Sequence, residues 1–283
     1  HAPSWHETWD EIANDSTAVF TNSFGPGATN SSRDVPFDVY SEGGILRRAE
    51  WIRFVALFFN LEAKAGRIFA RIEADYEALK EEALRLRDEH TSAVPFVAWA
   101  ARVPGCVTSA CYDMYRLIVS RVIRRITQEA GGRLLTVSDL GPNCTAYRNS
   151  DGTQVYDCIG TPEGSRHFRE LLAGADVIID ESPVDGPYVL NDFVSNFGAD
   201  PANFRAMQAE AVYRMDWSEQ MDAQPQELLS DMMHAIWGAS FQGPCQYKYL
   251  RSLYQAPPEP LDHSDCPMYD PMGTHDCEAI HDY

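Results

Sequence analysis

Apolar residues recur at every third or fourth position from Leu61 onward: Leu61, Ala65, Ile68, Phe69, Ile72, Tyr76, Leu79, Ala83 and Leu86, with charges between them. That period predicts one amphipathic helix reaching Glu89, ~40 Å long at ~1.5 Å per residue. An ordinary globular helix is less than half as long, so this one is expected to brace two bodies or lie along a large one. Just upstream, Leu46, Ala49, Ile52, Phe54, Val55, Phe58 and Phe59 leave little polar face. They predict a well-buried helix from Ile45, with Asn60 as break and N-cap before the long helix. Earlier still, Ala18-Val19-Phe20-Thr21 reads as a buried strand feeding the loop Asn22 to Gly27.

Beyond the long helix the pattern alternates. Val94–Trp99 reads as a strand, Tyr112–Ala130 as a helix stopped by Gly131-Gly132, and Leu134–Val137 as a strand. Arg166–Ala173 reads as a helix, Ala175–Asp180 as a continuous apolar strand, and Pro201–Ala211 and Pro225–Trp237 as helices. Continuous apolar strands separated by helices indicate a parallel sheet covered on both faces. The expected fold is therefore α/β: a three-layer parallel-sheet lobe over residues 91–256, joined by the linking helix 61–90 to a partial second lobe over 1–60. Residues 257–283 form a polar tail rich in Asp and His, expected to be disordered or disulfide-stapled.

Charge and cysteine content narrow the setting. A formal charge of −19 excludes nucleic acid as a partner, because a phosphate backbone needs a basic face. No apolar run approaches the ~20 residues that span a bilayer, and Ile52–Phe59 is interrupted by Arg53. The seven cysteines fall partly in close pairs, Cys106 with Cys111, Cys144 with Cys158 and Cys266 with Cys277, leaving Cys245 odd. Sequons begin at Asn14, Asn30 and Asn143. Together these suggest a secreted or extracellular disulfide-bonded glycoprotein, with connectivity that spacing leaves open.

The run Arg47-Arg48-Ala49-Glu50-Trp51-Ile52-Arg53-Phe54, then Phe58-Phe59-Asn60 and the long Glu/Ala/Arg helix, resembles the helical-linker class of periplasmic substrate-binding proteins. Later segments keep the same order: Val97-Ala98-Trp99, Ala130-Gly131-Gly132, Gly174 to Glu181, and Ala223 to Leu229. This class comprises extracytoplasmic binders of siderophores, vitamin B12 and metal ions. The resemblance implies two α/β lobes bridged by one helix, with a solute held between them. The segment before Leu61 is short for a lobe of this class, so the first lobe is expected to be incomplete, in the chain or in the protein. The cysteine insertions and sequons suggest a eukaryotic relative.

Ligands in open parallel sheets sit outside the carboxyl ends of strands. That rule selects Ser23 and Phe24, Trp99 and Arg102, and Glu181 with Tyr188 as ligand-binding candidates. Trp99 could stack on a flat ligand and Arg102 could pair with an anionic chelate; packing in the core and a solvated loop charge are the plainer readings. Asp180 and Glu181 could ligate a metal or cap a helix. The tail, with His263, Cys266, His275, Cys277 and His281, matches no tetrahedral metal spacing, so the metal assignment stays unknown. The nucleophile elbow, P-loop, zincin and dinucleotide motifs are missing from the sequence. The expectation is a non-enzymatic binder without a resident cofactor, taking a small-molecule or metal-chelate ligand and meeting a membrane transporter or receptor. The other reading is a secreted interaction module that kept the fold and lost solute binding.

Overall fold

The computed structural model describes residues 16–21, 33–90, 94–107, 110–136, 144–148, 154–159, 162–183, 186–215, 223–243 and 248–255. Ser23, Phe24, the three sequon asparagines and the polar tail lie outside these. Val19–Thr21 (β1) and Asp34–Pro36 (β2) form a two-stranded parallel sheet. Ile45–Ala56 (α1) follows, tightens into a 3-10 turn at Leu57–Phe59, and ends at Asn60 in the left-handed region with φ 54°. Asn60 is thus a C-terminal stop rather than the N-cap the sequence suggests; its short amide side chain tolerates that conformation.

Helix α1 is also less buried than its composition predicts. Ile45, Ala49 and Ala56 are buried, whereas Ile52, Leu57, Phe58 and Phe59 are exposed. Its aromatics pack sideways instead of inward. Phe20 and Phe37 from the small sheet meet Trp51, Phe54 and Phe58 edge to face, with ring centroids 5.0 to 6.5 Å apart.

Glu62–Glu89 (α2) is one helix of 28 residues, as its periodicity predicts. Its apolar stripe serves two cores. Phe69 and Ile72 cluster with Ala49 of α1, while Tyr76, Ala83 and Leu86 enter the main core. On the exposed side Arg85 bridges Glu82 and Glu89, both at 2.5 Å, a helix-surface pairing that adds a few tenths of a kcal/mol.

Among the described residues the main sheet has eight strands: Phe96–Val107 (β3), Ala110–Val119 (β4), Arg133–Leu134 (β5), Cys144–Arg148 (β6), Gln154–Ile159 (β7), Val177–Asp180 (β8), Val212–Met215 (β9) and Leu250–Ser252 (β10). Their order is β10-β9-β8-β3-β4-β7-β6, with β5 beside the start of β3. Strands β5, β3, β8 and β9 are parallel, and the rest pair antiparallel. The sheet is mixed rather than wholly parallel.

The antiparallel half occupies ground where the sequence suggested helix. Tyr112–Ala130 divides into β4 and Arg121–Glu129 (α3), separated by Ser120, whose Oγ accepts from the Ile123 amide at 3.0 Å. Within β4, buried Tyr115, Leu117 and Val119 alternate with less buried Met114, Arg116 and Ile118. That is a period of two, hidden in a run that is apolar on both faces. The expected helix Pro201–Ala211 likewise contracts to Arg205–Gln208 (α6), and β9 follows it.

Helices cover both faces of the sheet. Tyr115, in register with Arg102, meets Phe168 of Pro162–Ala173 (α4) and Phe197 of Leu190–Phe197 (α5). Val97 lies an odd number of residues from Arg102 and so faces the other way. There a Cβ on Gly132 would touch both Val97 and Ile236 of Pro225–Trp237 (α7). Next door, Gly131 has φ 86°, and the Trp237 indole Nε1 donates to the Ala130 carbonyl at 2.8 Å.

Candidate functional site at the strand carboxyl ends

The parallel pairing of β8 with β3 and β9 brings its last matched residues to one place. Asp180 ends β8 and stands in register with Ala100 of β3 and Arg214 of β9. Asp180 and Arg214 are both buried. Arg214 Nη1 lies 3.7 Å from Asp180 Oδ1, and its guanidinium stacks on the Tyr188 ring 4.5 Å from the centroid.

A closed polar circuit grows from this pair. Asp180 Oδ1 accepts from the Ser182 amide at 2.8 Å and from the Ser182 hydroxyl at 2.5 Å. Ser182 Oγ in turn accepts from the Arg102 backbone amide at 2.8 Å. Arg102 Nη1 donates to Asn196 Oδ1 at 2.7 Å, and Asn196 Nδ2 donates to the Tyr188 hydroxyl at 2.9 Å. Tyr188 closes the ring beneath Arg214. Six side chains from β3, β8, β9, α5 and the loop after β8 thereby fix one another.

Electrostatics follow burial. Desolvation raises the Asp180 carboxyl above its ordinary range, outweighing the Ser182 donors and the Arg214 charge. Beside it, Glu181 is pushed up to about 7, chiefly by burial and further by Asp180, with Arg214 opposing. Burial and the Asp180 charge also raise the Tyr188 phenol. Glu181 is held in place through its backbone amide, which donates to the Ala100 carbonyl at 2.8 Å.

Of the residues named from sequence, Arg102, Glu181 and Tyr188 come together here. Trp99 does not join them. It is fully buried, and three positions along a strand put it on the sheet face opposite Arg102. Its ring is core packing, which corrects the expectation of a stacking surface. Asp180 likewise serves this network, and among the described residues no group of three or more His, Cys, Asp or Glu side chains could hold a metal ion. Arg214 and Asn196 were missed. The signal for Arg214 was a lone charge inside the apolar run Ala211-Val212-Tyr213-Arg214-Met215; Asn196 carried none. An open depression of about 260 Å³ near Phe96, Leu171 and Arg205 lies at the other end of the strands, away from these groups.

No protein-family model matches the sequence, and no curated protein matches it. Solved structures do match the fold. A periplasmic heme binding protein from Pseudomonas aeruginosa superposes with a TM-score of 0.56 over 85% of this chain and 78% of that one, at 10% identity. A TroA-like periplasmic binding protein, FepB, from Veillonella parvula gives 0.52 over 83% and 66%, at 11% identity. The fold is that of the TroA-like substrate-binding proteins. Ceue from Helicobacter pylori, solved with Ni(II) bound, gives 0.51 over 83% and 67%, at 13% identity. Two of these neighbours are described as periplasmic binding proteins. They are bacterial, so the comparisons lend no support to the eukaryotic origin suggested by the sequons.

Proposed function

We propose that this chain is an extracytoplasmic solute-binding protein for a metal chelate, of the siderophore, haem or corrinoid kind, or for a metal ion. The observation that carries the reading is the closed polar circuit at the carboxyl end of β8, level with the last residues of β3 and β9 that pair with it, on the side where open α/β sheets hold ligands. A site that presents Arg102 on a fixed Asn196–Tyr188 support suits an anionic chelate better than a bare cation, since guanidinium recognises carboxylate and catecholate oxygens in pairs. Glu181 is the acidic partner at the same rim. Ser23 and Phe24 would approach from the first lobe. In this reading residues 1–60 belong to that lobe, 61–90 link, 91–256 form the second lobe and 257–283 a tail. The link would permit small hinge changes as the solute is taken up and passed to a membrane transporter or receptor. No observation favours the interaction-module alternative.

The test is a thermal-shift and fluorescence-quenching titration with haemin, a ferric catecholate, cobalamin and Ni(II). One of them is expected to raise the midpoint in a saturable way, with affinity at least ~10-fold weaker in Arg102→Ala. No saturable shift with any of the four overturns the proposal.

A further inference from the structure

The described residues expose nine large apolar side chains, and six of them fall between Ile52 and Ile68. Exposed apolar residues scattered singly call for no account, whereas a contiguous group marks a surface that meets a partner. The group sits where α1 gives way to α2. These helices pack on one another through Ala49, Phe69 and Ile72, and the chain turns between them at Asn60, φ 54°. All eight residues from Leu57 to Lys64 are exposed, so this elbow projects from the body. It carries Leu57, Phe58, Phe59 and Leu61. Phe58 is braced by Phe20 and Phe54, with centroids 5.0 and 5.5 Å away, while Phe59 is 59% exposed.

The charge around the elbow runs against the rest of the chain. The whole carries −19, yet the stretch from Ile45 to Arg71 holds six cations, Arg47, Arg48, Arg53, Lys64, Arg67 and Arg71, against two carboxylates, Glu50 and Glu62. Glu50 pairs with Arg53, and Asp75 with Arg71. Glu62 lies in the first turn of α2, where a carboxylate complements the positive end of the helix. Lys64 and Arg67 have no ion pair among the described residues. By helix rise both lie within ~10 Å of Leu61 along α2, about one Debye length.

A basic collar around projecting aromatic and aliphatic side chains fits a surface that is anionic outside and apolar just beneath, and it needs no matching pocket. A second copy of this chain fits worse, because a symmetric contact through the elbow sets the same cations against one another. We infer that the α1–α2 elbow docks on an anionic lipid bilayer. Leu57, Phe59 and Leu61 enter the boundary between headgroups and acyl chains, ~5–10 Å deep, and Lys64 and Arg67 hold lipid phosphates. The contact is peripheral, since no helix among the described residues is long and apolar enough to cross a membrane. It stands whether or not the strand-end site takes a metal chelate.

The full chain is floated on a density gradient with vesicles of phosphatidylcholine alone or mixed with phosphatidylglycerol. The expected result is flotation with the mixed vesicles only, weakening as salt is raised. Lys64→Glu/Arg67→Glu should cut the partition coefficient at least ~10-fold, since each basic residue near an anionic surface contributes about fivefold. Leu57→Ser/Phe59→Ser should cut it by ~10-fold or more through lost apolar burial. Both pairs are exposed, so urea midpoints should match the parent protein and separate lost binding from lost fold. No flotation with the mixed vesicles, equal flotation with the neutral ones, or unchanged flotation in either double variant overturns the inference. So does a dimer in sedimentation velocity that Leu57→Ser/Phe59→Ser abolishes, because it assigns the elbow to a second copy.

Discussion

Asp180 and Arg214 face one another in register across β8 and β9, buried together, with carboxylate and guanidinium 3.7 Å apart. Neither is free to be lost alone. Removing the cation strands a buried carboxyl, whereas removing both leaves a neutral gap that apolar side chains can fill. Arg214→Met should therefore lower unfolding free energy by about 3–5 kcal/mol, and adding Asp180→Asn should restore a large part of it. Urea denaturation of the two single variants and the double variant closes the cycle. Additive losses would show that the pair is not coupled.

Glu181 gives stability a pH slope of unusual sign. Its carboxyl is raised from 4.5 to about 7 in the folded chain, so the folded state keeps a proton that the unfolded state has released. Stability from this group is complete below the unfolded value and falls as pH rises through about 7. Partial exposure of Glu181 screens the effect, leaving about 1–2 kcal/mol between the two ends of the window. Asp180 is shifted in the same direction, so Glu181→Gln should flatten the slope without abolishing it. Urea midpoints measured across the window for both proteins decide this, and an unchanged slope in Glu181→Gln refutes it.

A buried tyrosine ties the long helix to α3. Tyr76, buried on α2, donates its hydroxyl to Glu129 Oε2 of α3 at 2.6 Å. Burial and this carboxylate both raise the phenol, so it stays protonated as a donor. Tyr76→Phe keeps the ring and removes the bond, and should cost about 1.5–3 kcal/mol, as hydrogen bonds to charged groups do. Amide exchange of α2 near Tyr76 should quicken in parallel. A loss below about 0.5 kcal/mol would mean that Glu129 finds an equal partner in Lys80 or Arg125, which already lie 3.7 and 3.1 Å from it.

What could be read in the sequence followed from how many faces of each element meet water. Helix α2 has one wet face, and its pattern marked both ends to within a residue. Helix α7, opened by Pro225 and closed before Gly238, was equally plain. Strand β4 failed because it is covered on both sides, which removes the contrast that reveals a period of two. Strand β9 is short and buried throughout, so it vanished into the preceding helical signal. The site was half legible for a related reason. The strand-end rule found Glu181 and Tyr188 beyond the end of β8, whereas Arg102 was chosen as a loop residue and lies inside β3, which runs on to Val107; Asn196 and Arg214 belong to the site only through contacts made across the sheet. Trp99 shows the opposite error, since proximity along a strand says nothing until the alternation of faces is counted.

Gly131 tests the packing between the sheet and α7. Its φ of 86° lies where an L side chain is strained, and a Cβ placed there would come within 2.8 Å of the Trp237 ring and 3.2 Å of the Ala83 carbonyl. The indole cannot retreat without breaking its bond from Nε1 to the Ala130 carbonyl. Gly131→Ala therefore combines backbone strain with overpacking and should destabilise by about 2–4 kcal/mol. Trp237→Phe makes room for the methyl while also losing the indole bond. If the clash dominates, Gly131→Ala in the Trp237→Phe background should cost clearly less than it does alone, with backbone strain as the remainder. Thermal and urea unfolding of the four proteins separates the two terms, and an equal cost in both backgrounds would assign the whole effect to φ.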